Sequence, residues 1–320
     1  MRRPKLIPRS FMIIRADNMP PTLSKRRGCR YWLKLLIVGV FGGLFIGYWA
    51  YVIIATEAYA QPAQTSLGGV TPRDKGLAYE EVTLTTSDGI PLKGWYLPSR
   101  NRAAIIMLHG YGGNRLEMLN RAALLAKHGY GVLLYDERAS GESGGAQRTF
   151  GWLDVNDVPL ALAYLQTRSG IDPQRIGLLG FSIGGQIALR AAAQSDQLKA
   201  VVAEEPGFAR ISDVPDMPGL MDNFYDVAYW VGEKWLSLRT GVPVPPGVID
   251  DLKRMTPRPI LFTATGQDYR RALVHYFYEQ APDPKEWWEV PEADHGGSLW
   301  ARPKEYEQTV VGFFDRVLVK

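Results

Sequence analysis

The residues best suited to chemistry surround Ser182, in Gly180-Phe181-Ser182-Ile183-Gly184-Gly185. Glycines two positions either side of a serine fit a G-x-S-x-G nucleophile elbow, a corner where strand and helix pass too closely for Cβ atoms. The apolar run Ile176 to Phe181 reads as the strand and the Ala-rich run Ile187 to Gln194 as the helix, which leaves Ser182 on the turn beside the unpaired N–H groups of a helix start. A serine hydroxyl is too weakly acidic to attack a carbonyl unaided. It needs a base, a group that orients the base, and a second donor for the developing oxyanion. Of the four histidines, His295 has the best context: it follows the last expected strand in a His-Gly-Gly loop, C-terminal to Ser182. His128 before a Gly-Tyr turn and His275 in a helical pattern read as structural.

Positioning these groups requires a sheet. Tyr79 to Thr86 and Ile90 to Leu97 flank Ser87-Asp88-Gly89 and read as a hairpin; Ala103 to Leu108, Gly131 to Tyr135, Ile176 to Phe181, Leu198 to Ala203, Pro259 to Ala264 and Glu286 to Val290 read as further strands. Helical patterns fall through Lys127, over Asp154 to Gln166, Arg271 to Gln280 and Lys304 to Leu318. Strands alternating with helices imply a largely parallel sheet, here with an antiparallel edge. The interval 207–256 breaks the rhythm, being longer than an ordinary connection and rich in aromatic residues. It reads either as a cap inserted over the site, with Phe224, Tyr225 and Trp230 as candidate substrate contacts, or as ordinary helices packed on the sheet.

The first 34 residues carry ten Lys and Arg against one Asp, so this tail holds +9 of a formal net charge of +4 and leaves the remainder at about −5. Basicity is therefore a property of the tail, and the main domain shows no electrostatic footprint for nucleic acid. Leu35 to Thr56 is uncharged and mostly apolar, and 22 residues at ~1.5 Å each span about 33 Å, enough for a bilayer core. Tyr31 and Trp32 at one end, with Tyr48, Trp49 and Tyr51 toward the other, suit its interfaces. Lys25, Arg26, Arg27, Arg30 and Lys34 predict a cytoplasmic N-terminus and an extracytoplasmic main domain. Ala58-Tyr59-Ala60 also resembles a signal-peptide cleavage site, which leaves a cleaved leader and a buried soluble helix as alternatives to a retained anchor. Gly39, Gly43 and Gly47 share a helix face and suggest a homodimer contact. Residues 57–77 read as a linker and 78–320 as the main domain. The lone Cys29 excludes an intrachain disulfide.

His109-Gly110-Tyr111-Gly112-Gly113-Asn114, Tyr135-Asp136-Glu137-Arg138-Ala139-Ser140-Gly141-Glu142-Ser143, the elbow, Gly266-Gln267-Asp268 and Ala293-Asp294-His295-Gly296 together resemble the α/β-hydrolase superfamily over about residues 78 to 318. Within it the chain looks most like membrane-anchored bacterial serine hydrolases of the BEM46-like kind, and it shares the GxSxGG elbow with prolyl-oligopeptidase-type peptidases. The resemblance implies an α/β fold, with a mostly parallel eight-stranded sheet flanked by helices, a short cap, and one transmembrane helix before it. It implies Ser182 as nucleophile, His295 as base and Asp268 as the orienting acid. Glu204 and Glu205, ending the strand after the elbow, are rivals for that third place. It further implies backbone N–H groups of Tyr111 and Ile183 as the oxyanion hole, a structural role for Asp136, Arg138 and Gly141, and no cofactor or metal. The expected activity is cleavage of a small-molecule or lipid-like carboxylic ester; a peptidase or amidase and a catalytically silent tethered binding module are the alternatives.

Overall fold

A computed structural model describes residues 26–61, 64–215, 220–266 and 269–319. The chain divides into two units, Met1–Ala50 and Tyr51–Lys320. The first contains most of a helix, α1 (Arg26–Ala60), whose stretch Gly28–Ala60 is long and apolar enough to cross a membrane, with mean hydropathy 2.0. Gly39, Gly43 and Gly47 have open space where a Cβ would stand. The helix runs four residues past the expected boundary at Thr56, because Glu57-Ala58-Tyr59-Ala60 contains good helix formers and the next helix-breaking residue is Pro62.

In the second unit, eight strands form one sheet: β1 (Glu80–Thr85), β2 (Pro91–Leu97), β3 (Ala104–Leu108), β4 (Gly131–Tyr135), β5 (Ile176–Phe181), β6 (Ala200–Glu204), β7 (Ile260–Thr265) and β8 (Lys285–Val290). Their spatial order is β1-β2-β4-β3-β5-β6-β7-β8. The pairs β1–β2 and β2–β4 are antiparallel and all others parallel. Every residue of β3 to β7 is buried, as strands covered on both faces require, whereas β1 alternates exposed and buried residues at the edge. Alternation along the strands splits the core in two. Ile106, Leu108 and Leu178 face one side; Ile105, Met107 and Leu179 face the other.

The flanking helices are α2 (Leu119–Lys127), α3 (Val158–Gln166), α4 (Ile183–Ala193), α5 (Leu220–Thr240), α6 (Val248–Arg254) and α7 (Tyr269–Gln280), with a helical stretch over 298–319. The interval 207–256 holds two helices that pack differently. The helix α6 buries Val248, Ile249 and Leu252 and packs against α4 as an ordinary sheet-covering helix, while α5 is the excursion. Phe224, Tyr225 and Trp230 lie on α5 and are exposed.

Candidate functional site

The elbow forms as the glycine pattern requires. Ser182 ends β5 and precedes α4 with φ 55° and ψ −118°, a left-handed conformation that costs a side-chain-bearing residue about 1–3 kcal/mol. The surroundings hold it there: its N–H donates to the Glu204 carbonyl at 2.8 Å, and its own carbonyl accepts from the N–H groups of Gly185 and Gly207, each at 2.9 Å. A Cβ on Gly180 would lie 2.1 Å from the Gly184 carbonyl oxygen, and one on Gly184 would lie 2.4 Å from the Leu108 oxygen. The two glycines thus permit α4 to start directly over β5 and β3.

Around the serine, His295 Nε2 stands 3.1 Å from Ser182 Oγ. His295 Nδ1 stands 2.7 Å from Glu205 Oε2, on a carboxylate only 3% exposed. Thr265 Oγ1 donates to the same oxygen, and the Gly296 N–H donates to Glu205 Oε1 at 2.8 Å. The carboxylate that meets His295 Nδ1 is thus Glu205, one of the two rivals for the third place, while Asp268 lies outside the described residues. The physical reason is the end of β6. Glu204 is its last residue, and the chain turns at Glu205 with φ 47°, held by a Glu205 N–H bond to the Thr263 carbonyl at 2.9 Å. Glu205 is thereby aimed at His295, and Glu204 goes elsewhere, to Arg121 Nε at 2.6 Å and to the Tyr306 hydroxyl. Arg121 also donates to the Gly296 carbonyl at 3.1 Å, so the two glutamates support the His295 loop from two sides, one directly and one through an arginine. Asp294, beside His295 in sequence, is exposed. His128 pairs with Glu307 at 2.7 Å, and His275 packs edge-on to Trp287; both are remote from this cluster in their contacts.

The loop after β3 brings Tyr111 to the serine. His109 is buried, its Nδ1 within 2.8 Å of the Gly110 carbonyl and its Nε2 accepting the Glu137 N–H at 3.0 Å, an arrangement that fits only the neutral ring. Burial pushes its pKa down to about 4, the nearby Arg148 adding to the effect and the Gly110 bond opposing it. Glu117 reaches back and accepts the Gly110 N–H at 2.6 Å, clamping the loop. Ile183 supplies the first N–H of α4, which has no acceptor within the helix. A cavity of about 420 Å³ opens on Ser182 and His295, walled by Tyr111, Phe181, Arg121 and Trp300. The Arg121 guanidinium lies 5.3 Å from both the Phe181 and the Trp300 ring centres. None of Phe224, Tyr225 and Trp230 lines this cavity, because α5 presents them to solvent.

Sequence reading missed Glu117, Arg121 and Trp300. Single polar or aromatic residues on helices carry no local signal of what they face. Among the described residues no three His, Cys, Asp or Glu side chains are grouped as metal ligands.

A family model described as alpha/beta hydrolase fold matches residues 103–231. The uncharacterized protein YfhR of Escherichia coli (strain K12) is 27% identical over 249 residues, covering 73% of this chain and 80% of its own length. Thiohydrolase aneE of Aspergillus aculeatus is 33% identical over 141 residues, covering 43% of this chain and 44% of its own. Among solved structures, an esterase of Pyrococcus furiosus superposes with a TM-score of 0.66 at 26% identity, covering 81% of this chain and 98% of its own. With these likenesses added to its sheet order and its elbow, the chain has the α/β-hydrolase fold.

Proposed function

We propose that the protein is a serine hydrolase that cleaves carboxylic esters through an acyl-enzyme. The observation that carries this reading is the unbroken relay from Ser182 Oγ to His295 Nε2 at 3.1 Å and from His295 Nδ1 to Glu205 Oε2 at 2.7 Å. In the first half-reaction Ser182 Oγ attacks the carbonyl carbon while His295 Nε2 takes its proton. Glu205 holds the Nδ1–H tautomer and stabilises the imidazolium that forms. The Tyr111 and Ile183 N–H groups receive the oxyanion, each such donor being worth about 2.7–4 kcal/mol. The C–O bond then breaks, and His295 passes its proton to the departing alkoxide. In the second half-reaction His295 deprotonates a water that attacks the acyl-serine, and the proton returns to Ser182.

The esterase likeness supports an oxygen ester, and the aromatic cavity walls at Phe181 and Trp300 suit an apolar group. A thioester is the second reading, favoured by the likeness to a protein named thiohydrolase. The apolar helix would anchor the enzyme in a membrane with the basic tail cytoplasmic; protease accessibility of the catalytic unit in sealed vesicles of either orientation checks this placement.

The deciding experiment treats the full chain in detergent with a fluorophosphonate probe and locates the adduct by peptide mass spectrometry. The adduct is expected on Ser182 and absent in Ser182→Ala. Both Ser182→Ala and His295→Ala should lose up to about a millionfold in kcat on p-nitrophenyl esters. Undiminished turnover in Ser182→Ala would sink the reading, and faster cleavage of matched thioesters would select the second.

A further inference from the structure

The contacts that fix Tyr111 lead to the last turn of α1. The Tyr59 ring stacks on Tyr111 with centroids 3.9 Å apart and 5° between planes, and on Phe150 at 4.3 Å and 20°. Two rings at such separations cannot share one face, so Tyr59 is the middle of a three-ring stack. The final carbonyls of a helix have no intrahelical donors, and here the catalytic unit supplies them. Tyr111 Oη donates to the Tyr59 carbonyl at 2.8 Å, and the Arg148 N–H donates to that of Ala60 at 2.7 Å. The Arg148 guanidinium lies 5.3 Å from the Tyr111 ring centre. On another side, Glu57 accepts from Trp235 Nε1 at 2.8 Å and pairs with Arg239 at 2.7 Å, both on α5. The far end of the stack is equally fixed, since Gln186 of α4 donates to the Phe150 carbonyl at 2.7 Å.

We infer that Tyr59 is a positioning residue for the loop that presents the Tyr111 N–H, so that the last turn of α1 is a working part of the hydrolase site. The inference rests on the reading of Tyr111 as an oxyanion donor. The Glu117 clamp acts on the Gly110 N–H, one residue short of Tyr111, and the loop carries three glycines; the stack and the Oη bond to Tyr59 fix Tyr111 itself. Cleavage after Ala58-Tyr59-Ala60 would remove the middle ring and both carbonyl acceptors, so the mature enzyme retains α1.

The test uses the full chain in detergent, with kcat and KM on a soluble p-nitrophenyl ester normalised to sites titrated by a fluorophosphonate. Complete loss of an oxyanion donor costs about 10²–10³ in kcat, so Tyr59→Ala, which loosens one donor, is expected to lose about 10- to 100-fold, with KM within roughly threefold. Tyr59→Phe keeps the stack and the main-chain acceptor and should stay within about threefold of wild type. A purely structural role would lower the titratable fraction and leave kcat per site unchanged. Should Tyr59→Ala fail to accumulate, Tyr59→Leu, which fills the volume without a ring, carries the same expectation. Wild-type kcat per site in Tyr59→Ala, with activity still abolished by Ser182→Ala, would overturn this inference alone. So would N-terminal sequencing that finds a fully active mature chain starting at Gln61. Activity that survives Ser182→Ala would overturn both the inference and the reading beneath it.

Discussion

Glu204 and Glu205 are adjacent and buried, yet one neutralises Arg121 and the other holds His295. If Glu205 fixes the imidazole tautomer, Glu205→Gln offers Nδ1 an amide of similar shape and no charge. By analogy with the Asp-to-Asn change in serine proteases it should lower kcat by up to about 10⁴-fold, while Asp268→Asn stays near wild type. The reverse pattern in steady-state kinetics would restore Asp268 to the triad. Ser182 and His295 were legible in sequence because their glycine-rich surroundings have few other uses. The carboxylate that meets His295 was less legible, because which one it is turns on where β6 ends and on the left-handed turn at Glu205, and a shift of one residue exchanges the two glutamates. His109 gives a pH prediction at the same scale. Its folded pKa of about 4 lies below the ordinary histidine value near 6.5. Only the unfolded chain binds the proton between those values, so the histidine's contribution is complete above about pH 6.5 and is lost as pH falls through 4. Asp154, pushed up to about 6 mainly by burial, acts oppositely: its contribution is lost as pH rises through 6. Comparing denaturant stability of wild type with His109→Gln from pH 7 to 4 cancels the Asp154 effect. Wild type should lose up to about 1.4 kcal/mol per pH unit more than the variant, and parallel curves would contradict a neutral buried His109.

At the scale of elements, the site is a junction where β5, β6 and β8 end and α4 begins. The elbow sets the tightest tolerance. A methyl group on Gly180 would meet the Gly184 carbonyl oxygen at 2.1 Å, so strand or helix must shift, and this is backbone against backbone with no side chain to yield. Gly180→Ala should cost about 1–3 kcal/mol in urea unfolding, or prevent folding, and should also move Ser182. An alanine variant as stable and active as wild type would mean that the corner is looser than this spacing implies. The buried Arg121–Glu204 pair is a second structural point, because Arg121 also carries the Gly296 carbonyl. Removing one partner leaves an uncompensated charge, so Glu204→Ala should cost about 3–5 kcal/mol and reduce turnover through the displaced His295 loop. Unchanged melting in that variant would count against the pair. Strands and elbow were legible because buried parallel strands and glycine corners have strong local patterns. The role of 207–256 was not, since the same aromatic and apolar residues suit a cap lining or an exposed helix face. Tertiary packing decided it: α6 joined the core, and α5 turned Phe224, Tyr225 and Trp230 outward.

For the whole molecule, the boundary of the catalytic unit lies earlier than composition suggests. The stretch 57–77 is rich in residues that ordinarily make linkers, yet Ala60 is fully buried beside Trp152 and Leu236, and Leu67 joins the core cluster containing Trp95 and Phe181. Polar contacts continue the attachment, with Gln64 donating to the Ser143 carbonyl at 3.1 Å and Asn114 donating to Thr65 Oγ1 at 2.9 Å. Pattern reading misses this because the segment's hydrogen-bond partners outside it are more than forty residues away in sequence, while its own Pro, Gly, Ser and Thr content is that of a tether. Two truncations separate the descriptions. A chain beginning at Tyr51 keeps every one of these contacts, whereas one beginning at Gly76 loses the Tyr59 stack, the Ala60 and Leu67 burial and the capped carbonyls. Burial of a large apolar side chain contributes about 1.5–3 kcal/mol, and each kcal/mol shifts the melting of a unit this size by roughly 2–4 °C. The shorter chain should therefore melt about 10 °C or more below the longer one and expose apolar surface that binds a hydrophobic dye. Coincident melting curves would return 57–77 to the status of a tether, and the catalytic unit would then begin where the first strand does.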